Sequence, residues 1–492
     1  MNEDLFEDAA YRKETVVLFM GNPLIEAVPY LGDPRTEYAS KLMVLLPYDK
    51  EDRNLGIVER LNKLQYIKQL HVASVIDTEI AMNIDRCLHW GYYSRNPMPM
   101  SVVQSAVEEA GYPYTDSMKR LYRSYKAPIY GFPVFGISGV GKTCSVMNVL
   151  TNYPQVIVHT NYRGRPFLMH QLVWLKVNCP ADGTMKGLCH AILQEIDNVL
   201  GTTFSTQRSY NRVSKDIFIS DVSAAIDACR LGILVIDDIQ SLCREDSPAS
   251  RELLNFILSL INNADIPIVM VGTPNFIKII QSEFQQAKRV TGEGEVHMDL
   301  LKKGSREWNR YMTTLWTYQY TQKAVPLTDE MADAFYEETF GNQFLLAILY
   351  KLVQDNAIIS GTESFTVQTV HQVADAKLGL TKEERAKMLD GEDCRLENLE
   401  GLWDAPSIPN EVIRLEKQST ETDLVQKLAT VLVSKTGRTM LEARGIARQV
   451  CAAYPTEKDP DVLYVYAKKL IKRSEKPTEE KGSADGVPND VH

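Results

Sequence analysis

The residues best suited to chemistry in this chain are Gly136-Ile-Ser-Gly-Val-Gly-Lys142-Thr143, which fill every required position of G-x-x-x-x-G-K-[ST]. Glycines at 136, 139 and 141 let successive backbone N–H groups turn inward around a polyphosphate, with Ser138, Val140 and Cys144 completing the cradle. A helix starting near Lys142 would point the positive end of its dipole at the same anion. Lys142 is then placed to reach the β- and γ-phosphates, and Thr143 to put its hydroxyl on a bridging Mg2+. A glycine-rich strand-to-helix turn with no ligand is the plain alternative, but it does not require all four signature positions to be filled.

A second group lies further along the chain. Leu231-Gly-Ile-Leu-Val-Ile-Asp237-Asp238 is an apolar run ending in two carboxylates, as expected of a buried parallel strand with its C-terminal end at a site. Asp237 would hold the magnesium shell and Asp238 would orient or deprotonate the attacking water. Asp265 to Gly272 reads as a further buried strand, and Thr273 or Asn275 just beyond it could sense the γ-phosphate; a strand-ending turn is the competing reading. Lys288-Arg289 closes a helix, where Arg289 could reach a neighbouring subunit's nucleotide as an arginine finger. Favourable pairing with the helix C-terminus explains the same two cations.

The elements that must position these groups follow from periodicity. The apolar run Ile129 to Phe135 supplies a strand into the loop and Cys144 to Leu150 a helix out of it. Gln155 to His159 and Leu172 to Asn178 read as buried strands, and Ala191 to Leu200 as a helix. The stretches 160–166 and 180–186 then become loops on one edge of the sheet. Repeated around a ring of subunits, they could present Arg163, Arg165, Thr184 and Lys186 to a central channel. Ahead of the loop, residues 117–126 interleave Lys119, Arg120, Arg123 and Lys126 with Tyr122 and Tyr125, either a phosphate-backbone surface or a solvated helix face.

Asp77 to Leu88 predicts a packed helix capped by Asp77 and Thr78, broken at Trp90 to Pro97, where two tyrosines and Arg95 form a packed aromatic turn or a partner contact. Residues 326–375 read as a small helical unit with a Thr328 cap. Residues 376–410 are charged and interrupted by Gly and Pro, as in a linker, 420–474 return to amphipathic helices, and the tail from Ser474 has the composition of disorder.

The whole chain of 492 residues has room for about three domains. Its 44% hydrophobic and 24% charged content is that of a folding, soluble chain. No apolar run is long enough to span a membrane and the N-terminus is acidic, so a cytoplasmic protein with no membrane partner is expected. Eight cysteines without a C-x-x-C pair predict reduced thiols in the core, and Cys189-His190, adjacent on a helix, cannot converge on zinc. A net charge of −10 argues against coating nucleic acid with the whole surface but leaves room for a local basic channel.

With the loop 136–143, Leu234-Val-Ile-Asp-Asp-Ile-Gln-Ser-Leu242, Gly272-Thr-Pro274, Asn22-Pro-Leu-Ile-Glu-Ala27, Gly91-Tyr-Tyr-Ser-Arg-Asn-Pro97 and Tyr153-Pro-Gln-Val-Ile157 in view, most of residues 10–375 resembles the TnsC family. These are bacterial AAA+ ATPase regulators of target-selecting cut-and-paste transposons. The resemblance implies ATP and Mg2+ as cofactors and a homo-oligomeric ring or filament that wraps double-stranded DNA. It also implies a signal received from a target-selection protein, and recruitment of transposase subunits through the C-terminal region. DNA-backbone contacts would come from the loops corresponding to 160–166 and 180–186.

Two departures stand out: Asp238 replaces the family's usual Glu and is one methylene shorter, and no Arg follows Gly341-Asn342, where many AAA+ proteins place a second sensor.

The expected architecture is α/β: an AAA+ P-loop NTPase core with a parallel sheet flanked by helices at 106–325 and a helical lid at 326–375. A mostly helical N-terminal partner-binding domain would occupy 1–105, a linker and helical partner-binding region 376–473, and a disordered tail 474–492. A replication-initiator-type loader and a signalling P-loop NTPase that binds protein partners alone are the alternatives. The first would usually append a winged helix, and the C-terminal helices show no clear helix-turn-helix with β-ribbon.

Overall fold

A computed structural model describes residues 5–124, 129–180, 184–206, 215–239, 248–274 and 291–379. Toward the C-terminus it describes 427–428, 431–432, 435, 446–447, 449–451, 453–454, 459 and 462–468. At its centre is a five-stranded sheet of β2 (Phe132–Phe135), β5 (Trp174–Asn178), β6 (Ile233–Asp237), β7 (Ile268–Gly272) and β8 (Val296–His297). The order is β5-β6-β7-β2-β8 and every pairing is parallel. A smaller sheet joins β1 (Phe6–Asp8), β3 (Val156–Tyr162) and β4 (Arg165–Leu172), with β1 parallel and β4 antiparallel to β3.

The central strands are mostly apolar because both faces are covered, with polar residues such as Asn178 and Asp237 at their C-terminal ends. Their side chains alternate between two cores, as the period of two requires. Leu234, Ile236, Ile268 and Met270 pack among α5 (Met185–Leu200), α6 (Lys215–Ala228) and α7 (Pro248–Asn263). Ile233, Val235, Val269 and Val271 face α1 (Val75–Tyr93) and α4 (Lys142–Leu150). A side chain buried this fully contributes about 1.5–3 kcal/mol.

The boundary expected near residue 105 does not separate two bodies. The stripe Ile80, Ile84, Leu88 and Tyr92 of α1 is completely buried in the same core as β6 and β7, and the described residues up to 358 cluster in one compact unit with 362–379. Helix α1 also starts earlier than expected. Its cap is Ser74, whose side chain accepts from the Asp77 backbone N–H while the Asp77 carboxylate accepts from the Ser74 N–H in return. It then runs through Trp90 to Tyr93, and Arg95 behind it donates to the Leu231 carbonyl at 2.6 Å; Tyr92 and Tyr93 pack inward, while Trp90 stays exposed.

The stretch 160–166 is strand on either side of a two-residue turn, where a loop was expected. Tyr162 pairs with Arg165, leaving Arg163 (φ +50°) and Gly164 (φ +75°) at the tip. Two consecutive positive φ values make the tight turn whose twist suits a hairpin, and glycine takes the second at no steric cost. The Gly164 N–H donates to Asn161 Oδ1 at 3.1 Å.

The helical unit begins at α8 (Arg306–Thr317), twenty residues before the expected 326, because Trp308, Tyr311, Leu315 and Trp316 share one core with α9 (Asp329–Thr339), α10 (Gln343–Ile359) and α11 (Val367–Lys377). Thr328 caps α9 as its sequence implies, accepting from the Met331 N–H. Arg60 of the short helix Ile57–Lys63 is locked to this unit by two bonds to Glu363, at 2.6 and 2.8 Å, and one to the Tyr320 carbonyl. The described residues beyond 426 fall in a second unit, with Leu428, Leu432, Ala447, Val450, Leu463 and Ala467 in its core.

Candidate nucleotide-binding site

In a parallel sheet all C-terminal ends lie along one edge, and ligands bind outside them. Here that edge carries Asn178 from β5, Asp237 from β6, Gly272 from β7 and the loop leaving β2. Gly139 (φ +81°) and Gly141 (φ +94°) supply the left-handed turns that curl the loop before α4 begins at Lys142. Lys142 donates to the Ile137 carbonyl at 3.0 Å, its ammonium therefore held over the loop. Thr143 Oγ1 donates to Asp237 Oδ1 at 3.1 Å, so residues from two sequence motifs meet as one group.

Asp237 is 2% exposed and both its oxygens are engaged. Oδ1 also accepts from the Asp238 N–H at 3.0 Å, and Oδ2 pairs with Lys176 Nζ at 3.1 Å. Asp238 itself is exposed and adopts φ +55°, a conformation that aspartate tolerates better than most residues and that recurs at working sites. A hydroxyl and a carboxylate meeting beside the phosphate loop fit Mg2+, which prefers a few hard oxygen ligands plus waters and substrate phosphates. Bound there, the cation would neutralise charge on transferring phosphate oxygens.

Two contacts were not legible as site features. Asn342, fully buried, donates from Nδ2 to the Ser138 carbonyl at 3.0 Å, and the Phe344 N–H donates to the Gly139 carbonyl at 3.0 Å. The start of α10 thus rests on the phosphate loop, where the sequence drew attention only to a missing arginine. The other contact is the pairing of Lys176 with Asp237, for which a cation in the strand Trp174-Leu-Lys-Val-Asn178 is the one visible signal. Beside the loop, Ser74, Arg306, Arg310, Tyr311 and Gln343 line a cavity of about 140 Å³.

Thr273 directly follows β7 at this edge and is half-buried. Asn275 and Arg289 lie outside the described residues. The cations proposed for DNA do not share one sheet edge. Arg163 and Arg165 are exposed at the hairpin tip of the small sheet, and Arg163 pairs with Glu109 of α2 (Met100–Glu109). Lys119 and Arg120 sit on α3 (Asp116–Ser124), whose Met118 and Tyr122 pack against Val103, Ala106 and Val107 of the same α2.

Thr184 and Lys186 belong to a different element. Thr184 caps α5, accepting from the Gly187 N–H at 3.0 Å, and Lys186 lies over the Phe218 ring. The hairpin itself is firmly seated: Tyr162 donates to Glu26 at 2.8 Å, and burial raises the Glu26 carboxyl above its usual range despite that bond.

Parallel sheet, phosphate loop, Thr143–Asp237 pair and helical lid together define the AAA+ P-loop NTPase fold. The sequence profile of the AAA domain family matches residues 132–280, from β2 past β7. No curated protein is similar to the chain in sequence.

Among solved structures it is similar to the Walker-type ATPase paby2304 of Pyrococcus abyssi (14% identity, 72% of this chain and 87% of that one, TM-score 0.34). It is also similar to Cdc6p of Pyrobaculum aerophilum (13%, 72% and 83%, 0.35) and to the RuvB Holliday junction branch migration motor of Thermotoga maritima (15%, 61% and 70%, 0.31). Among the described residues, no helix is long and apolar enough to cross a membrane.

Proposed function

We propose that this AAA+ protein is an ATPase whose ATP-bound form oligomerises on double-stranded DNA and links target-site selection to transposase recruitment, with hydrolysis driving disassembly. The observation that carries the ATPase reading is the 3.1 Å bond between Thr143 and Asp237 beneath the phosphate loop. Lys142 would bind the β- and γ-phosphates, Thr143 and Asp237 would hold the cation, and exposed Asp238 would orient and deprotonate water. Thr273 would report the γ-phosphate, and Arg289 would complete a neighbouring subunit's site. The base would enter the cavity beside Gln343.

The DNA reading is supported by the grouping of Arg163, Arg165, Lys119 and Arg120 around α2, and by the resemblance to the TnsC family. Thr184 and Lys186 would form a second contact stretch. Backbone contacts repeated in each subunit give affinity with little sequence preference and strong salt dependence.

Electron micrographs of the protein with long random duplex and a non-hydrolysable ATP analogue test the assembly. Rings or filaments that vanish in Lys142→Ala are expected, and monodisperse single subunits with all ligands present would overturn it.

A further inference from the structure

The Asp237 carboxylate is held by the Thr143 hydroxyl, the Asp238 N–H and Lys176, and the last of these carries a full positive charge. Lys176 and Asn178 are two residues apart on β5 and so share a face of the sheet. Asn178 stands opposite Asp237 in the parallel register. From one step back, Lys176 reaches forward to pair with Asp237 Oδ2 at 3.1 Å and to donate to Asn178 Oδ1 at 2.7 Å. Oδ1 of the same carboxylate faces Thr143.

The two oxygens therefore divide the work: one is turned toward the phosphate loop, and the other is neutralised by lysine. Burying a carboxylate that is only 2% exposed is costly unless it is paired, and Lys176 supplies the pair on the side away from the phosphate loop.

We propose that Lys176 is a positioning residue that holds Asp237 aimed at Thr143 in the metal-free protein and, through its charge on the far oxygen, sets the magnesium affinity of the nucleotide site. The proposal rests on the nucleotide reading of that site. When a divalent cation is bound by Thr143 and Asp237, the ammonium is a like charge on the far side of the same carboxylate. A unit charge a few ångströms from a divalent cation, screened as in water, lowers affinity on the order of tenfold. Lys176 would thus keep the site ordered when empty and make metal occupancy depend on magnesium bound with nucleotide.

The test titrates Mg2+ into the full-length protein with a fluorescent ADP, alongside titrations in EDTA. In Lys176→Met, which keeps the aliphatic stem, the half-saturating Mg2+ concentration should fall about tenfold, while nucleotide affinity in EDTA stays within about threefold of native. Lys176→Arg, which keeps the charge, should stay within about threefold in both titrations.

Thermal unfolding without nucleotide gives a second readout: Lys176→Met should melt below the native protein in EDTA, and Mg2+ alone should narrow the gap. If Lys176→Met does not fold, Lys176→Gln carries the same expectation. A folded, uncharged variant with the native magnesium midpoint overturns the proposal. Native protein that binds no nucleotide at any Mg2+ concentration overturns instead the reading on which it rests.

Discussion

Asn342 is the residue through which the lid and the phosphate loop should feel each other. It is fully buried, its Oδ1 accepts from the Leu345 N–H at 3.1 Å at the start of α10, and its Nδ2 donates to the Ser138 carbonyl at 3.0 Å. Asn342→Ala removes both bonds. Losing the helix cap costs about 1 kcal/mol, and leaving the Ser138 carbonyl without this donor costs about 1 kcal/mol more. Asn342→Ser restores a cap acceptor but is too short to reach Ser138, so its stability loss should be about half as large.

Nucleotide affinity should respond differently from stability. Both variants break the Asn342–Ser138 link, leaving the Phe344 N–H to Gly139 carbonyl bond as the described contact of lid with loop, and should weaken ATP binding equally, by about fivefold for 1 kcal/mol. Urea unfolding and fluorescent-nucleotide titration measure the two effects side by side. An Asn342→Ser protein that binds nucleotide like the native one would refute the coupling, however unstable Asn342→Ala proves.

Three other outcomes follow from contacts already described. Asp238→Asn should keep nucleotide affinity but lower ATP turnover at least a hundredfold, since general-base contributions run at about 10²–10⁴; near-native turnover would remove Asp238 from that role. Arg60→Met should lower unfolding free energy by about 3–5 kcal/mol, because it strands Glu363 beside a buried site.

The same pair predicts an acid dependence. The hydrogen bond from Arg60 holds the Glu363 carboxyl below its usual range, so its stabilising contribution is present above the unfolded carboxyl value of about 4.3 and is lost as pH falls through the lower folded value. Native protein should therefore exceed Glu363→Gln in stability at pH 7, with the gap closing below about pH 4; a pH-independent gap in urea melts would contradict this.

What the sequence made legible was whatever chemistry demands at fixed spacing. Gly136 to Thr143 and the strand ending at Asp237 have few alternatives, because backbone N–H groups and a carboxylate must meet one phosphate chain. The parallel sheet flanked by helices was equally plain, since strands buried on both faces have no polar side to disguise them.

Contacts across long sequence separations were hidden. Nothing local in Asn342 signals a partner at Ser138, and Lys176 reads as a stray charge until β5 and β6 are laid in register. Asn161, Gly164 and Pro166 are turn-forming residues, so the composition of 160–166 points to a loop, although only two of these seven positions form the turn. Amphipathicity showed that α1 buries one face but could not say that the surface it covers is the central sheet.

The claim most exposed to a direct test is that ATP occupancy of this loop licenses binding to DNA. Fluorescence anisotropy of a random-sequence duplex, titrated with protein at two salt concentrations, measures it. With a non-hydrolysable ATP analogue, binding is expected to be tight, indifferent to sequence and steeply weakened by salt. It should be lost without nucleotide or in Lys142→Ala. Absence of binding at low salt with the analogue present, or equal binding with and without it, would contradict the account.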